Sequence, residues 1–367
     1  LFCIINLIVV YSFKENIYIL TEIINLFKLF YFPVILFFFY SYYSQEEKKF
    51  DIKTLVKVSI IISVSILIAR VTNTVNFSYG TELSGKIGHS GWFNSSNEIG
   101  SLLSILFPVL IYNIIKEKDS YSYVYISLLI YGLFCIGTKV AYLSMIICLI
   151  LYLFSFFFDT VFFKKKFSSI KSKIWKPTIV VLSLVIVVTP FTPIFHNMGI
   201  HIKNLNINFL GFYNNVDPNI IKEDEGKIEN LIFYGREDYL RQMKKVYKNS
   251  EVSQKIFGIG RQENYLNDEK TVQYIERDFH DVLYYYGIAG FVLFLMPLIF
   301  IFYNIVKLLW YGKNYVLKDD IKLFSISILL FILIAYMAGH TLLSPAVATF
   351  GALIIAVLNR RLLYKED

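Results

Sequence analysis

The stretch LYYYGIAGFVLFLMPLIFIFYNIV, residues 283–306, carries no charged side chain along its whole length. A helix that crosses a bilayer needs roughly 20 mostly apolar residues, because the hydrocarbon core is about 30 Å thick and the helix rises about 1.5 Å per residue. The stretch therefore predicts a transmembrane helix. Composition agrees for the whole chain, since 56% of its residues are hydrophobic and only 17% are charged, against about 25% in ordinary soluble domains.

Similar apolar runs recur along the chain. The same criterion gives ten candidate spans, the first of them truncated: 1–13, 23–43, 55–71, 97–114, 121–138, 141–162, 177–194, 283–307, 322–339 and 342–358. We therefore predict an all-α fold, a polytopic membrane helix bundle. It divides into seven membrane helices (1–194), a large extracytoplasmic loop with short helices (195–282), and three further helices with a cytoplasmic tail (283–367).

Basic residues gather in alternate connections between the runs, as the positive-inside rule describes for cytoplasmic loops. The clusters lie at 48–57, 116–118, 164–176, 313–322 and 360–365. All five can face the cytoplasm at once, which places the other connections and all five histidines outside or at the outer boundary. This pattern accounts for the net charge of +8 through membrane orientation, and it excludes nucleic acid as the expected partner.

The segment 195–282 is long for a connection, and loops beyond about 12–15 residues are often functional. Within it, YLRQMKKVYKN (239–249) places apolar residues at helical spacing, with basic residues over the rest of the surface. The pattern predicts an amphipathic helix, which is compatible with a position flat on the outer leaflet.

Two motifs in this loop combine glycine with arginine. YGREDYLRQ (234–242) contains Arg236 and Arg241, and FGIGRQENY (257–265) contains Arg261. Arginine keeps its charge at any accessible pH, and its planar fork matches phosphate oxygens. The three arginines are therefore candidate phosphate-binding residues. For Arg241 and Arg261, a solvated loop charge is an equally weighted alternative.

The loop ends in ERDFHD, residues 276–281. If this stretch is helical, Arg277 and Asp281 form a pair four residues apart, and Glu276 shares a face with His280. A histidine oriented by a carboxylate can accept a proton from a sugar hydroxyl near neutral pH. The alternative is that the aspartates only cap and charge the start of the next helix.

Four more candidates lie at span boundaries. Lys139 stands between two apolar runs, where a lysine either snorkels to the interface or has a functional role. Asn97 and Glu98, in NSSNE (94–98), have side chains suited to sugar hydroxyls, although capping of the helix by the neighbouring serines is the safer interpretation. His340 lies at the start of the last span, where a lone histidine is more often structural.

Several chemistries lack their motifs. The chain contains no GxxxxGK[ST], HExxH, CxxC or GxSxG motif, so nucleotide hydrolysis, zinc proteolysis and serine hydrolysis have no support. The three cysteines all lie inside apolar runs, which predicts neither a disulfide framework nor a thiolate metal site. We expect no metal and no cofactor.

The order of motifs resembles the superfamily of bacterial O-antigen ligases and polysaccharide polymerases over roughly residues 70–358. The resemblance rests on these motifs in order: GWFNSSNEIG, GTKVAY, the Gly235–Arg236 opening of the long loop, FGIG, DFHD followed by YYYGIAGF, and AGHTLLSP. Two positions depart from the ligases, in which asparagine usually follows the histidine and arginine often stands at the short turn. Here Asp281 follows His280, and Lys139 occupies the turn.

The resemblance implies a glycosyltransferase in the bacterial cytoplasmic membrane with its active site facing outside. It implies transfer of a glycan from an undecaprenyl diphosphate carrier to an acceptor sugar hydroxyl, with inversion and without metal or nucleotide. By position, Arg236 is implied at the diphosphate, helped by Lys139 and by Arg241 or Arg277. His280 is implied at the acceptor.

In this hypothesis Glu276 supports the histidine. The favoured role is that of a capsular or exopolysaccharide polymerase, and a ligase that transfers a finished glycan remains an alternative because the two differ only in their acceptor. The oligomeric state stays open. A transporter of lipid-linked sugars would need charges near span centres, and Lys28 is the one candidate for such a charge.

Overall fold

The computed structural model describes residues 1–13, 19–79, 85–117, 120–162, 175–204, 236–260, 275–311, 318–339 and 341–364. The α-helices of this part are α1 (Phe2–Phe13), α2 (Ile19–Tyr43), α3 (Lys53–Val71), α4 (Ser96–Glu117), α5 (Ser120–Ile136), α6 (Lys139–Phe162), α7 (Trp175–Val188), α8 (Pro193–Asn204), α9 (Arg236–Asn249), α10 (Val252–Phe257), α11 (Asp278–Tyr311), α12 (Asp319–Met337) and α13 (Pro345–Tyr364). A short 3₁₀ turn, Thr189–Phe191, joins α7 to α8. The only pairing of extended backbone in the described residues is an isolated bridge between Phe77 and His89.

Every predicted span overlaps a helix, which confirms a polytopic helical membrane protein. Among the described residues, α2, α3, α4, α11, α12 and α13 are long and apolar enough to cross a bilayer. The end of α7 and the start of α8 form a bent pair, at 57°, that would act as one further span. The apolar parts of α1, α5 and α6 are shorter than the criterion requires.

Helix α4 lies at the centre of the bundle. Every residue from Ile99 to Ile114 is buried, and α3, α5, α6, α12 and α13 all pack around the helix. Small residues let these neighbours approach closely, as is usual between membrane helices. The Ser144 hydroxyl donates to the Ser104 hydroxyl at 2.6 Å, so α4 and α6 run side by side and begin at the same end of the bundle, which we call the cavity end.

The outer faces of the bundle are apolar, as a lipid environment requires. On α2, for example, Phe27 is 74% exposed and Phe37 is 61% exposed. Lys28 lies on the same exposed side of this helix. Charges that serve transport face the bundle interior or a water-filled cavity, so the position of Lys28 gives the transporter hypothesis no support.

The opposite end of the bundle is held by two buried arginines at the end of α13. The Arg360 guanidinium donates to the carbonyl oxygens of Tyr43 at 3.3 Å and Gln45 at 2.6 Å. Carbonyls at a helix C-terminus have no partner within the helix, so Arg360 satisfies the end of α2. Arg361 forms a buried ion pair with Asp320 at the start of α12.

The predicted amphipathic helix forms as α9. Leu240 and Met243 on its apolar stripe are buried in the protein, and the Tyr247 ring lies 5.1 Å from the ring of Tyr284 on α11. The predicted basic residues are all exposed: Arg241, Lys244, Lys245 and Lys248. The stripe therefore packs on the protein and is not available to a lipid leaflet. An amphipathic pattern cannot distinguish these two positions, because the protein core and the lipid leaflet are both apolar.

Candidate active site

A cavity of about 490 Å³ lies beside the starts of α4 and α6, at the end of the bundle that we have named the cavity end. One part of its wall is apolar and comes from α6 and α12, including Leu143, Ile147, Leu330 and Leu333. The other part is polar and comes from the loop before α4, the turn before α6, and the segments at 236 and 276. The cavity is thus suited to a ligand with one charged end and one apolar end.

The polar wall carries three cations, Lys86, Lys139 and Arg236, and one carboxylate, Glu276, among the residues described. Lys86 is only 9% exposed, and its ammonium lies 5.8 Å from the centre of the Tyr79 ring. The cations outnumber the carboxylate by two, so the wall favours an anionic ligand.

Two helix N-termini reinforce this charge. Ser95 caps α4, because its hydroxyl accepts the Glu98 amide hydrogen at 3.4 Å, and Thr138 caps α6 by accepting from Ala141 at 3.4 Å. A helix N-terminus carries partial positive charge and unsatisfied amide groups. Asn97 lines the cavity, whereas Glu98 is not among the lining residues. The capping interpretation is therefore confirmed for this segment, and Asn97 remains a binding candidate.

The turn that carries Lys139 is held by contacts that the sequence analysis missed. Gly137 has φ +71°, and a Cβ at this position would lie 2.8 Å from the Ile87 carbonyl oxygen. The Asn197 side chain donates to the carbonyls of Ile87 at 2.7 Å and Gly137 at 3.0 Å. Asn197 therefore ties the loop of Lys86 to the turn of Lys139. These partners lie too far apart in sequence for any local pattern to reveal the contact.

Two adjacent ion pairs of opposite polarity join the start of α9 to the segment before α11. Arg236 donates to Glu276 Oε2 from Nη2 at 2.6 Å and from Nε at 3.2 Å. Arg277 Nη1 donates to Glu237 Oε1 at 2.8 Å. We call these four residues the charge clasp. It brings two segments 40 residues apart in sequence to the cavity wall.

Helix α11 begins at Asp278 and does not cover all of 276–281. Glu276 and Arg277 precede it, and Glu276 has φ +56°, so the condition for a helical face shared by Glu276 and His280 is not met. The backbone amide of Arg277 instead donates to Asp281 Oδ2 at 3.2 Å. The capping alternative therefore holds for Asp281.

Asp278 joins this segment to the turn after α12. Its Oδ2 accepts from the Thr341 amide at 3.0 Å, the Thr341 hydroxyl at 2.9 Å and the Leu342 amide at 2.7 Å. On the same side, Gly339 has φ +64°, and a Cβ there would lie 2.6 Å from the Glu276 carbonyl oxygen. These contacts fix the backbone at Glu276.

His280 lies apart from the cavity wall. Its ring stacks on Tyr284 at 6.4 Å and tilts against Tyr336 at 5.7 Å, and it is not among the lining residues. Its Nδ1 is buried and has no hydrogen-bond partner among the described residues. Glu276 therefore lines the cavity, whereas His280 lies outside its wall beside Tyr336.

The remaining predicted site residues are dispersed. Arg277 is 3% exposed within the charge clasp, and Arg241 is exposed on α9. Arg261 and His340 lie outside the described residues. Within the described part of the chain, no group of three or more His, Cys, Asp or Glu side chains is placed to hold a metal ion.

Two other histidines support the loop of Lys86. His196 Nε2 lies 3.1 Å from the Gly85 carbonyl oxygen, and the backbone amide of His89 donates to the Cys135 carbonyl at 2.8 Å. Burial, and then the charge of Arg70, lowers the pKa of the His89 side chain. This ring is therefore neutral near pH 7 and adds no charge to the site.

These features define a polytopic helical membrane protein with an amphipathic cavity rich in cations. A family model described as O-antigen ligase like membrane protein matches residues 1–209 and 213–364. The chain belongs to this family, which makes it a bacterial membrane enzyme that handles glycans. No curated protein and no solved structure matches the chain.

Proposed function

We propose that the protein is a polysaccharide polymerase, which transfers glycan repeat units from an undecaprenyl diphosphate carrier to the hydroxyl of an acceptor sugar. The observation that carries the proposal is the cavity itself. Its polar wall combines three cations with two helix N-termini, and its other wall is apolar. A lipid-linked diphosphate has the same division into an anionic head and an apolar chain.

The charge of the site matches such a donor. A diphosphate diester carries one negative charge on each phosphate, and the lining cations exceed the carboxylate by two. In this proposal Arg236 and Lys139 hold the diphosphate, and Lys86 adds a third cation. When the bond between the sugar and the diphosphate breaks, negative charge grows on the leaving group. Cations already fixed around that position stabilise the transition state.

The apolar wall supplies a place for the start of the lipid chain. Leu143 on α6 is 46% exposed, although it is a large apolar side chain beside the polar wall. Ile147 on α6 and Leu330 and Leu333 on α12 continue the same surface. An isoprenoid chain that leaves the head group along these helices would reach the surrounding bilayer without crossing a polar region.

The acceptor side of the proposal uses Asn97 and His280. Asn97 lines the cavity and can hydrogen-bond sugar hydroxyls. His280 lies outside the cavity wall beside Tyr336, which is 51% exposed, so we assign it to positioning the acceptor chain. Transfer in a single displacement would invert the configuration at the donor's anomeric carbon. The active site would face outside, with the basic connections in the cytoplasm.

The test uses protein purified into lipid nanodiscs with the native lipid-linked repeat unit as substrate. The Arg236→Ala variant should lower kcat by roughly 100-fold or more, because removal of one preorganised donor to a developing anion typically costs that much. Arg241→Ala is the matched control, since this exposed arginine lies on the same helix away from the cavity. Near wild-type turnover by correctly inserted Arg236→Ala would refute the assignment.

The products of the same assay separate the alternatives. A polymerase extends the glycan into a ladder of lengths on the lipid carrier. A ligase instead transfers one glycan to a different acceptor, and a transporter leaves the donor chemically unchanged. A ladder that disappears in Arg236→Ala and persists in Arg241→Ala would support the polymerase.

A further inference from the structure

Glu276 is bound to Arg236, the residue that the proposed function assigns to the diphosphate. One carboxylate oxygen, Oε2, receives both the Nη2 and the Nε hydrogen bonds of Arg236, at 2.6 and 3.2 Å. A phosphate oxygen would take the same donors, because arginine binds carboxylate and phosphate through the same planar fork. Glu276 and the donor therefore compete for Arg236.

The two halves of the charge clasp differ in their surroundings. Arg236 and Glu276 both line the cavity, whereas Glu237 and Arg277 do not. Arg277 is 3% exposed and lies over the Tyr336 ring at 5.5 Å. Its partner Glu237 is 23% exposed, against 37% for Glu276 in the other pair. A buried arginine that loses its partner is costly, so the Arg277–Glu237 pair holds the two segments together. The pair that faces the cavity can open while the other stays closed.

The backbone at Glu276 favours movement of the side chain alone. A non-glycine residue at φ +56° is strained and persists only where its surroundings over-determine it, a situation common at functional sites. Here Gly339 packs against its carbonyl, and Asp278 anchors the next turn to Thr341 and Leu342. The Cα of Glu276 is thus fixed at the cavity wall, and rotation about its side-chain bonds is the motion left to it.

We propose that Glu276 exchanges partners during the reaction and is its catalytic base. Before the donor binds, Glu276 neutralises Arg236 through their ion pair. The donor diphosphate displaces it, and the released carboxylate then receives the proton of the acceptor hydroxyl. This inference rests on the proposed function, since it requires a diphosphate donor in the cavity.

The acceptor O–H bond breaks and its proton goes to a Glu276 oxygen, while the acceptor oxygen forms a bond to the anomeric carbon of the donor. The bond from that carbon to the diphosphate oxygen breaks, and the electron pair leaves with the lipid diphosphate. Glu276 afterwards gives its proton to solvent and pairs with Arg236 again. A carboxylate binds a proton more readily once the neighbouring cation has turned to another anion.

The experiment separates binding from transfer. The Glu276→Gln variant keeps the shape of the side chain but removes its charge and its capacity as a base. With undecaprenyl diphosphate as the probe, Glu276→Gln in nanodiscs should bind several-fold more tightly than wild type. Its kcat should fall by roughly 100-fold or more, as expected for loss of a general base, and Glu276→Asp should recover part of it. The acidic limb of the wild-type pH–rate profile should be absent in Glu276→Gln.

Glu237→Gln is the matched control, because it removes the carboxylate of the other ion pair at the same clasp. It should not tighten diphosphate binding. Wild-type transfer by Glu276→Gln would overturn the inference. So would weaker diphosphate binding in both Glu276→Gln and Glu276→Asp, because the carboxylate would then act only by orienting Arg236. A wild-type protein that binds no diphosphate and transfers no glycan would contradict the proposed function instead.

Discussion

At the scale of single residues, the site combines buried cations with the carboxylate of Glu276. Lys86 and Arg236 are both largely buried, at 9% exposure for the whole Lys86 residue and 12% for the Arg236 side chain. Burial of a charge is unfavourable unless it is compensated. For Arg236, Glu276 supplies that compensation through their ion pair at 2.6 Å.

His280 offers a prediction at this scale. It stacks on Tyr284 and lies outside the cavity wall, so the His280→Gln variant should raise the KM for the acceptor several-fold while kcat changes by less than the KM does. Steady-state kinetics at varied acceptor concentration, with saturating donor, measures this split. A loss confined to kcat would contradict a positioning role and return the histidine to the proton-transfer step.

At the scale of elements, the cavity depends on two helix starts that lie side by side. The Ser104–Ser144 hydrogen bond holds α4 against α6, and residues at the capped starts of both helices line the cavity. Asn197 on α8 donates hydrogen bonds to the carbonyls of Ile87 and Gly137, and so links the loop before α4 to the turn before α6. The anion-binding character is thus a property of helix packing and not of the charged side chains alone.

A substitution at Gly137 tests whether the turn before α6 positions the site. In Gly137→Ala, the positive φ costs about 1–2 kcal/mol, and the new Cβ would meet the Ile87 carbonyl at 2.8 Å. The turn must shift, so donor binding should weaken along with thermal stability. Gly132→Ala is the control, because its nearest contact is a flexible Leu103 methyl at 3.3 Å. Equal donor affinity in both variants would show that the turn does not position the site.

At the scale of the whole molecule, the cavity residues gather at one end of the bundle, and the two buried arginines of α13, Arg360 and Arg361, lie at the other. This polarity matches the alternate basic connections of the sequence, which predict that the cavity end faces outside. The charge clasp and the Asp278 anchor then join the start of α9 to the segment before α11 and to the turn after α12 at that end.

Cysteine labelling of intact cells measures this orientation. In a background without the three native cysteines, Trp92→Cys at the cavity end should react with a membrane-impermeant maleimide, since Trp92 is 50% exposed. Lys53→Cys, at the opposite end and with 58% of the lysine side chain exposed, should react only after the cells are permeabilised. The reverse pattern would place the cavity in the cytoplasm.

The amino-acid sequence by itself determined the membrane bundle, since a bilayer leaves helices as nearly the only way to satisfy the backbone, and apolar runs then identify them. It also singled out Lys139 and Asn97 as polar groups at span boundaries, and Arg236, Glu276 and His280 as charged or titratable groups in the long loop. Only the tertiary structure decided which of these residues meet. The contacts of Glu276 and of Asn197 join segments far apart in the chain. Such pairs follow from the packing of helices, which local patterns do not specify, and that packing places Glu276 in the cavity wall and His280 outside it.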